Sequence, residues 1–128
     1  MALVGLGSDI VQINRLEGKN QDALAKRILN DQEWQQWQQS PQPTQFLAKR
    51  FAAKEAAAKA LGTGIAQGIT FRDFIIDHDS NGKPCLTLTG KAAEIAAQIG
   101  ANHWLLSLSD ERDYALATVI CEGTTTES

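Results

Sequence analysis

The feature that most constrains the fold is a run of alanines near the middle of the chain. Residues 51–65 read FAAKEAAAKALGTGI, and alanine fills six of the first ten positions. Alanine has the strongest helix propensity, and Gly62 is the kind of residue expected just past a helix end. The pattern predicts the longest helix over residues 44–61, with small side chains all around it. Another backbone segment or a ligand can therefore approach this helix closely.

The rest of the chain predicts strands and short helices around that helix. Five segments are apolar or alternate between apolar and polar residues, which is typical of strands. Two pairs of these segments flank short polar turns, one of them Asn81-Gly82, and predict β-hairpins. The order of elements predicts an α+β fold with a mostly antiparallel sheet and a long central helix. The strand segments are 3–11, 71–77, 83–88, 104–109 and 114–121.

The length of 128 residues predicts one domain, which we assign to residues 1–122, followed by a disordered tail at 123–128. No apolar stretch approaches a membrane span, and the first residues lack the basic start of a signal peptide. Cys85 and Cys121 lie far apart, each in an alternating apolar run. We expect both to be small buried side chains with free thiols in a reducing cytoplasm.

The charge distribution points to an anionic ligand or partner. The net charge of −3 argues against bulk nucleic-acid binding. Residues 1–60 nevertheless contain eight basic and six acidic residues, whereas the rest contain four basic and nine acidic. A chance fluctuation is one interpretation. The functional interpretation is a site for an anion built from the first half of the chain.

Glu55 and Lys59 are the first candidate site residues. They are four positions apart, so on a helix they share a face. An exposed helix pair of this kind contributes only a few tenths of a kcal/mol, about 0.3–0.5, and is one interpretation. The other is that the rigid alanine helix holds the two side chains in place for chemistry.

Asp9 is the second candidate, because its carboxylate interrupts an apolar segment after two glycines, Gly5 and Gly7. It is either a cap or turn carboxylate, or a partly buried group beside backbone that a ligand can approach. A partly buried carboxylate requires a cation or a hydrogen-bond donor as its partner. Asp9 and Glu55 together suit Mg²⁺, which usually takes one or two protein carboxylates along with water and phosphate oxygens.

The turn Gly62-Thr63-Gly64 has two interpretations as well. Its N–H groups either bind an anion or cap the preceding helix. The turn lacks the Gly-Lys-Ser/Thr of a P-loop and the glycine spacing of a dinucleotide-binding loop. His78 and His103 lack the spacing of zinc ligands, and no nucleophile elbow is present.

Three segments together resemble the holo-acyl-carrier-protein synthases, the small group of 4′-phosphopantetheinyl transferases. They are GLGSDIVQINRL at 5–16, LAKRFAAKEAAAKALGTGI at 47–65 and DERDYALATVI at 110–120. Two weaker segments, ILNDQEW at 28–34 and NGKP at 81–84, also match, and they occur in the same order along the chain as in the family. The resemblance extends over roughly residues 3–122 of this chain.

The resemblance implies an enzyme that transfers the phosphopantetheine arm of coenzyme A to a serine of acyl carrier protein. Adenosine 3′,5′-bisphosphate is released, and the carrier becomes active in fatty acid biosynthesis. It also implies a homotrimer with the site between protomers, in the cytoplasm. The matching positions are Asp9 and Glu55 as Mg²⁺ ligands, Lys59 as a phosphate contact, Arg50, Lys59, Gly62, Gly64 and Pro84 at the coenzyme A site, and Arg15 on the carrier-docking helix.

The chain departs from the family pattern at a few positions. Leu105 and Asp110 stand where many members have histidine, although a subgroup shares the Asp-Glu-Arg of residues 110–112. The docking helix is also less basic than in some relatives, at residues 20–23. Two alternatives remain at this point: a non-catalytic α+β interaction module, and a Mg²⁺-dependent hydrolase of nucleotide diphosphates.

Overall fold

The computed structural model describes residues 2–18 and 20–123, and contains four α-helices and five strands within them. This confirms the α+β fold and the long helix. A 3₁₀ turn over Ile13–Leu16 follows the first strand, and another precedes the second. The elements in chain order are β1 (Ala2–Gln12), α1 (Gln21–Ile28), α2 (Asp31–Gln38), α3 (Pro43–Leu61), β2 (Phe74–His78), β3 (Pro84–Leu88), α4 (Gly90–Gln98), β4 (His103–Asp110) and β5 (Tyr114–Gly123).

The described strands pair in antiparallel fashion in two sheets. One has the order β1-β5-β4, and the hairpin β2-β3 forms the other. Gly82 has φ +80° in the hairpin turn, as the Asn81-Gly82 pair predicts. β5 includes Gly123, which is one residue past the predicted domain boundary. The rest of the predicted tail, 124–128, lies outside the described residues.

Helix α3 crosses one face of the three-stranded sheet and packs mainly on β1 and β5. It begins with Pro43 in the first turn, where the missing N–H of proline leaves no hydrogen bond unmade. It ends at Leu61, and Gly62 follows in the left-handed conformation at φ +86°. Both ends lie within one residue of the sequence prediction. The alanines of the helix are buried on several sides: Ala48, Ala52, Ala53, Ala56, Ala57, Ala58 and Ala60.

Two glycines of β1 allow the strand to lie directly against the backbone of α3. A Cβ atom placed on Gly7 would be 2.0 Å from the carbonyl oxygen of Ala56. A Cβ atom on Gly5 would be 2.0 Å from the carbonyl oxygen of Ala60. Both positions therefore exclude any side chain. The close approach that these small residues allow is made by β1 and α3 to each other, and it places Asp9 beside α3.

A group of charged side chains is buried on another side of α3. We call Glu33, Arg50 and Lys54 the buried cluster. Lys54 Nζ donates to Glu33 Oε1 at 2.6 Å and to the carbonyl oxygen of Ile28 at 2.7 Å. The backbone N–H of Ile76 donates to Glu33 Oε2 at 2.9 Å. The cluster therefore joins α1, α2, α3 and β2.

The start of α2 explains why Glu33 reaches this interior position. Asn30 caps the helix, its side chain accepting from the backbone N–H of Glu33, while Glu33 accepts from the backbone N–H of Asn30. This reciprocal capping box holds the Glu33 side chain at the helix start. Asn30 thus marks the beginning of α2.

The prediction that both cysteines are buried is correct for Cys121 and wrong for Cys85. β3 alternates between half-buried and exposed residues, and Cys85 falls with Thr87 on the exposed face. The two-residue period of a strand accounts for this, because the sheet is covered on one side only. Both thiols are free. Within the described part of the chain, no helix has the length and apolar character needed to cross a membrane.

Candidate active site

Asp9 lies within β1, opposite Ala117 of β5, and is therefore neither a helix cap nor a turn residue. Its side chain is only 18% exposed. The glycine contacts described above press this part of β1 against α3. Of the two interpretations of Asp9, the structure agrees with the partly buried carboxylate and not with the cap or turn residue.

Lys59 extends from α3 to β1 and contacts this carboxylate. Its Nζ donates to Asp9 Oδ1 at 3.0 Å and to the carbonyl oxygen of Ser8 at 3.0 Å. The Lys59 side chain is 51% exposed. The interpretation of Lys59 as half of a simple exposed pair with Glu55 is wrong, because its ammonium is directed across to the strand.

Glu55 lies one turn before Lys59 and faces the same cavity. We call Asp9, Glu55 and Lys59 the open cluster. The cavity has a volume of about 340 Å³ and lies between β1, the following 3₁₀ turn and α3. Phe51, Val11 and Leu16 supply apolar wall. The structure thus brings together the three residues predicted to carry the chemistry.

The surroundings of Glu55 disfavour its negative charge. Burial is the first cause that raises the pKa of Glu55, and the nearby charge of Asp9 is the second. Lys59 and Arg27 act in the opposite direction and do not fully compensate. Two carboxylates that share a site raise the pKa of one of them unless a cation lies between them.

This arrangement fits a hard divalent cation. A cation bound by Asp9 and Glu55 would offset both the burial and the charge of Asp9, which together raise the pKa of Glu55. The described residues provide no third Asp, Glu, His or Cys ligand at this site. Cations such as Mg²⁺ need only one or two carboxylates, and fill their other positions with water and phosphate oxygens. The donor set and the cavity therefore match a cation shared with a phosphate ligand.

The turn after α3 is a helix cap in this structure. The N–H groups of Gly62, Thr63 and Gly64 donate to the carbonyl oxygens of Lys59 and Ala58 at 2.9–3.3 Å. These donors are thus engaged by the helix, as the capping interpretation predicts. Gly62 and Gly64 have positive φ, and the space that a Cβ atom would point into is open at both.

Arg50 and Pro84, which the resemblance placed at the coenzyme A site, do not line this cavity. Arg50 is 4% exposed, its guanidinium lies 4.5 Å from the Phe46 ring centroid, and Nη2 donates to Gln36. Its Nε lies 3.8 Å from Glu33 and, among the described residues, has no hydrogen-bond partner. Pro84 begins β3. The predicted residues therefore divide into two groups in this chain: Asp9, Arg15, Glu55 and Lys59 line the cavity, and Arg50, Gly62, Gly64 and Pro84 do not.

Arg15 and the two departures from the family pattern are also placed by the structure. Arg15 lies in the 3₁₀ turn after β1 and lines the cavity of the open cluster. Asp110 ends β4 and lies 3.8 Å from Lys49 of α3, so its carboxylate has a lysine partner where many relatives have histidine. Leu105 lies in β4 opposite Ile120 of β5.

The sequence pattern gave no indication of two features near the site. The positive charge of Arg27 in α1 acts on Glu55 and lowers its pKa. The guanidinium carbon of Arg27 also lies over the Phe71 ring, 5.3 Å from the ring centroid. Glu33 anchors Lys54, the residue next to Glu55. Both act across more than 20 residues of chain, and spacing within one helix carries no information about such contacts.

Comparison with known proteins places the chain in a family. The family model described as the 4′-phosphopantetheinyl transferase superfamily matches residues 5–119. A holo-[acyl-carrier-protein] synthase of Vibrio cholerae serotype O1 is 58% identical over 94% of this chain and 98% of its own length.

Two solved structures share the fold over almost the whole chain. The holo-[acyl-carrier-protein] synthase of Neisseria meningitidis is 43% identical with a TM-score of 0.85, covering 94% of this chain and 98% of that one. The synthase of Bacillus anthracis, solved in complex with CoA (3′,5′-ADP), is 35% identical with a TM-score of 0.81, covering 97% of this chain and 100% of that one. This protein belongs to the 4′-phosphopantetheinyl transferase superfamily.

Proposed function

We propose that this protein is a holo-acyl-carrier-protein synthase that transfers 4′-phosphopantetheine from coenzyme A to a serine of acyl carrier protein. The observation that carries the proposal is the open cluster, in which Asp9, Glu55 and Lys59 meet in one cavity. The near-complete similarity to synthases, one of them solved in complex with CoA, supports the same activity.

The reaction is a phosphoryl transfer. The serine oxygen forms a bond to the phosphorus that carries pantetheine, and the bond from that phosphorus to the bridging oxygen of the diphosphate breaks. Adenosine 3′,5′-bisphosphate leaves with the bridging oxygen. The serine proton passes to Asp9, to Glu55 or to a bound water. Catalysis of this class rests on holding the groups in line and on stabilising the charge of the phosphate oxygens.

Asp9 and Glu55 would hold Mg²⁺ in this reaction. When bound, the ion neutralises charge on the diphosphate oxygens. Lys59 adds a positive charge beside the same oxygens, because its flexible side chain brings the ammonium into the cavity. The apolar wall formed by Phe51, Val11 and Leu16 limits water around the reacting phosphate and strengthens these interactions.

The predicted homotrimer is supported by an exposed apolar face. Leu6 and Ile10 of β1 are 67% and 63% exposed, and Ile10 lies opposite the exposed Leu116 of β5. Contiguous apolar surface of this kind is typical of protein interfaces. An interface there would also explain the two groups of predicted residues. Arg50, Gly62, Gly64 and Pro84 of one protomer would line the coenzyme A site together with the open cluster of another.

The remaining parts of the proposal concern the carrier and the location. Arg15, at the mouth of the cavity, would bind the acidic carrier and direct its serine toward the open cluster. We place the reaction in the cytoplasm, in line with the two free thiols of Cys85 and Cys121.

The test is to incubate the protein with coenzyme A, Mg²⁺ and apo acyl carrier protein, and to measure the mass of the carrier. The proposal predicts a carrier that is heavier by one phosphopantetheine. It also predicts the release of one equivalent of adenosine 3′,5′-bisphosphate. Release of nucleotide without carrier would indicate the hydrolase instead. An unchanged carrier with no released nucleotide would indicate an interaction module.

A further inference from the structure

The ammonium of Lys59 occupies the place beside Asp9 where a bound cation is expected. Its Nζ is 3.0 Å from Asp9 Oδ1, and a second hydrogen bond to the carbonyl oxygen of Ser8 fixes it there. Lysine has three N–H donors, and two of them are directed at β1. In this arrangement the carboxylate of Asp9 already has a positively charged partner.

The Lys59–Asp9 contact is not needed to hold α3 against β1. The two elements are joined by close backbone contacts at Gly5 and Gly7, with buried alanines around them. A half-exposed ion pair adds little to such packing. The Lys59 side chain is also 51% exposed, so no packed neighbour has to move when its ammonium exchanges these partners for another anion.

We propose that Lys59 competes with the divalent cation for Asp9, and that coenzyme A relieves this competition by drawing the ammonium onto its diphosphate. The inference rests on the proposed function and adds an order to it. In the ligand-free protein the ammonium shields Asp9 and repels a cation at the same oxygen. A diphosphate in the cavity offers the ammonium a more highly charged partner. Metal and coenzyme A therefore bind with positive coupling.

The coupling has a consequence for the open cluster as a whole. Without coenzyme A, Lys59 pairs with Asp9, and Glu55 has no ion-pair partner within 4.0 Å among the described residues. Once Lys59 moves, both carboxylates become ligands for one ion. The metal site is thus more complete when the phosphate donor is present.

The test measures Mn²⁺ binding to the ligand-free protein by electron paramagnetic resonance, with no coenzyme A or carrier present. Lys59→Gln removes the competing charge and is expected to tighten Mn²⁺ binding about tenfold, since it removes both an ion partner of Asp9 and a like charge beside the metal. The matched control is Lys49→Gln, which removes a lysine from the same helix and from a pair with Asp110. We expect it to change Mn²⁺ binding by less than about twofold.

The second arm adds coenzyme A at a concentration that saturates each protein. Wild type is expected to bind Mn²⁺ at least about tenfold more tightly with coenzyme A than without, and Lys59→Gln is expected to show a clearly smaller gain. Equal or weaker Mn²⁺ binding in ligand-free Lys59→Gln than in wild type would overturn the competition. A gain equal in both proteins would overturn the relief by coenzyme A.

The outcomes separate this inference from the proposed function. If wild type modifies the carrier but Lys59→Gln binds Mn²⁺ no better than wild type, only the competition is refuted. If neither protein binds Mn²⁺ with or without coenzyme A, the metal role of Asp9 and Glu55 and the competition both fail. An unmodified carrier refutes the proposed function whatever the Mn²⁺ affinities are.

Discussion

Helix α3 carries two charged clusters, and residues 54 and 55 belong to different ones. The buried cluster of Glu33, Arg50 and Lys54 is almost sealed from solvent. The open cluster of Asp9, Glu55 and Lys59 faces a cavity. Each contains carboxylate and lysine side chains, but of the two only the open cluster lines a cavity within this chain.

The two clusters differ in how completely their charges are satisfied. Both oxygens of Glu33 accept hydrogen bonds, and Lys54 has two acceptors within 2.7 Å. In the open cluster, Lys59 pairs with Asp9, and Glu55 retains a raised pKa caused by burial and by Asp9. The hydrogen-bonded Glu33–Lys54 pair stabilises the fold. The open cluster, with two carboxylates and one ammonium, can take up a cation once Lys59 leaves Asp9.

The largest effect on stability is expected from Lys54→Met in the buried cluster. It leaves Glu33 without its ammonium partner in the interior, where breaking such a pair costs about 3–5 kcal/mol. Urea denaturation measures the loss. Lys59→Met is the matched control in the open cluster, and should change the free energy of unfolding by less than about 1 kcal/mol. Equal losses in the two variants would contradict the division of roles.

A double variant sharpens the same comparison. Glu33→Leu with Lys54→Met removes two of the three buried charges, and replacing a buried ion pair costs less than breaking it. We expect the loss in the double variant to be smaller than the sum of the two single losses, by about 1–3 kcal/mol of coupling energy. Additive losses in urea denaturation would show that the two charges do not stabilise each other.

An intermediate effect is expected where β1 meets α3. Gly7→Ala places a Cβ atom 2.0 Å from the carbonyl oxygen of Ala56, so that strand and helix must separate. Overpacking of this kind costs about 1–3 kcal/mol, and it moves Asp9 away from Glu55. Both the unfolding midpoint and Mn²⁺ binding should therefore fall. Ser8→Ala, at an exposed neighbouring position, is the control and should leave the midpoint unchanged.

The smallest effect concerns the pH dependence of stability at Glu55. The pKa of Glu55 is raised in the folded state. Protonated Glu55 therefore contributes its full share of stability below the ordinary pKa of glutamate, about 4.3. This contribution is lost as the pH rises through the raised pKa. Glu55→Gln should therefore raise the melting temperature slightly at pH 7 in EDTA, and the gain should vanish near pH 4.

The control for the pH experiment is Glu94→Gln on the exposed side of α4. We expect its melting temperature to follow that of wild type at every pH. A gain for Glu55→Gln that is independent of pH, or a loss at pH 7, would contradict the unfavourable charge of Glu55 in the ligand-free protein.

The sequence predicted the elements better than it predicted their contacts. The alanine run, Gly62 and Asn81-Gly82 located α3, its end and the turn of one hairpin within a residue or two, since these signals are local. The predicted strand over 71–77 begins three residues later, because residues 71–73 form a 3₁₀ turn. The burial of Lys54 and Arg50 could not be predicted, because it depends on Glu33 from another helix. Cys85 was predicted to be buried because the pattern shows alternation but not which face is covered.

The open cluster was predicted partly from chemistry and partly from resemblance. Spacing placed Glu55 and Lys59 on one face, and the carboxylate of Asp9 in an apolar strand required a partner. That the partner is Lys59 followed only from the structure, because it depends on how closely β1 approaches α3. The roles assigned to Arg50, Gly62, Gly64 and Pro84 stay predictions, as does the trimer.

The most direct test compares Glu55→Gln with Glu33→Gln, which make the same chemical change in the two clusters. The rate of carrier modification is measured by mass with coenzyme A and Mg²⁺, alongside urea denaturation. We predict that Glu55→Gln is at least as stable as wild type but at least about 100-fold slower, whereas Glu33→Gln loses stability and its folded fraction stays active. Near-native rates for Glu55→Gln would contradict the assignment of the chemistry to the open cluster.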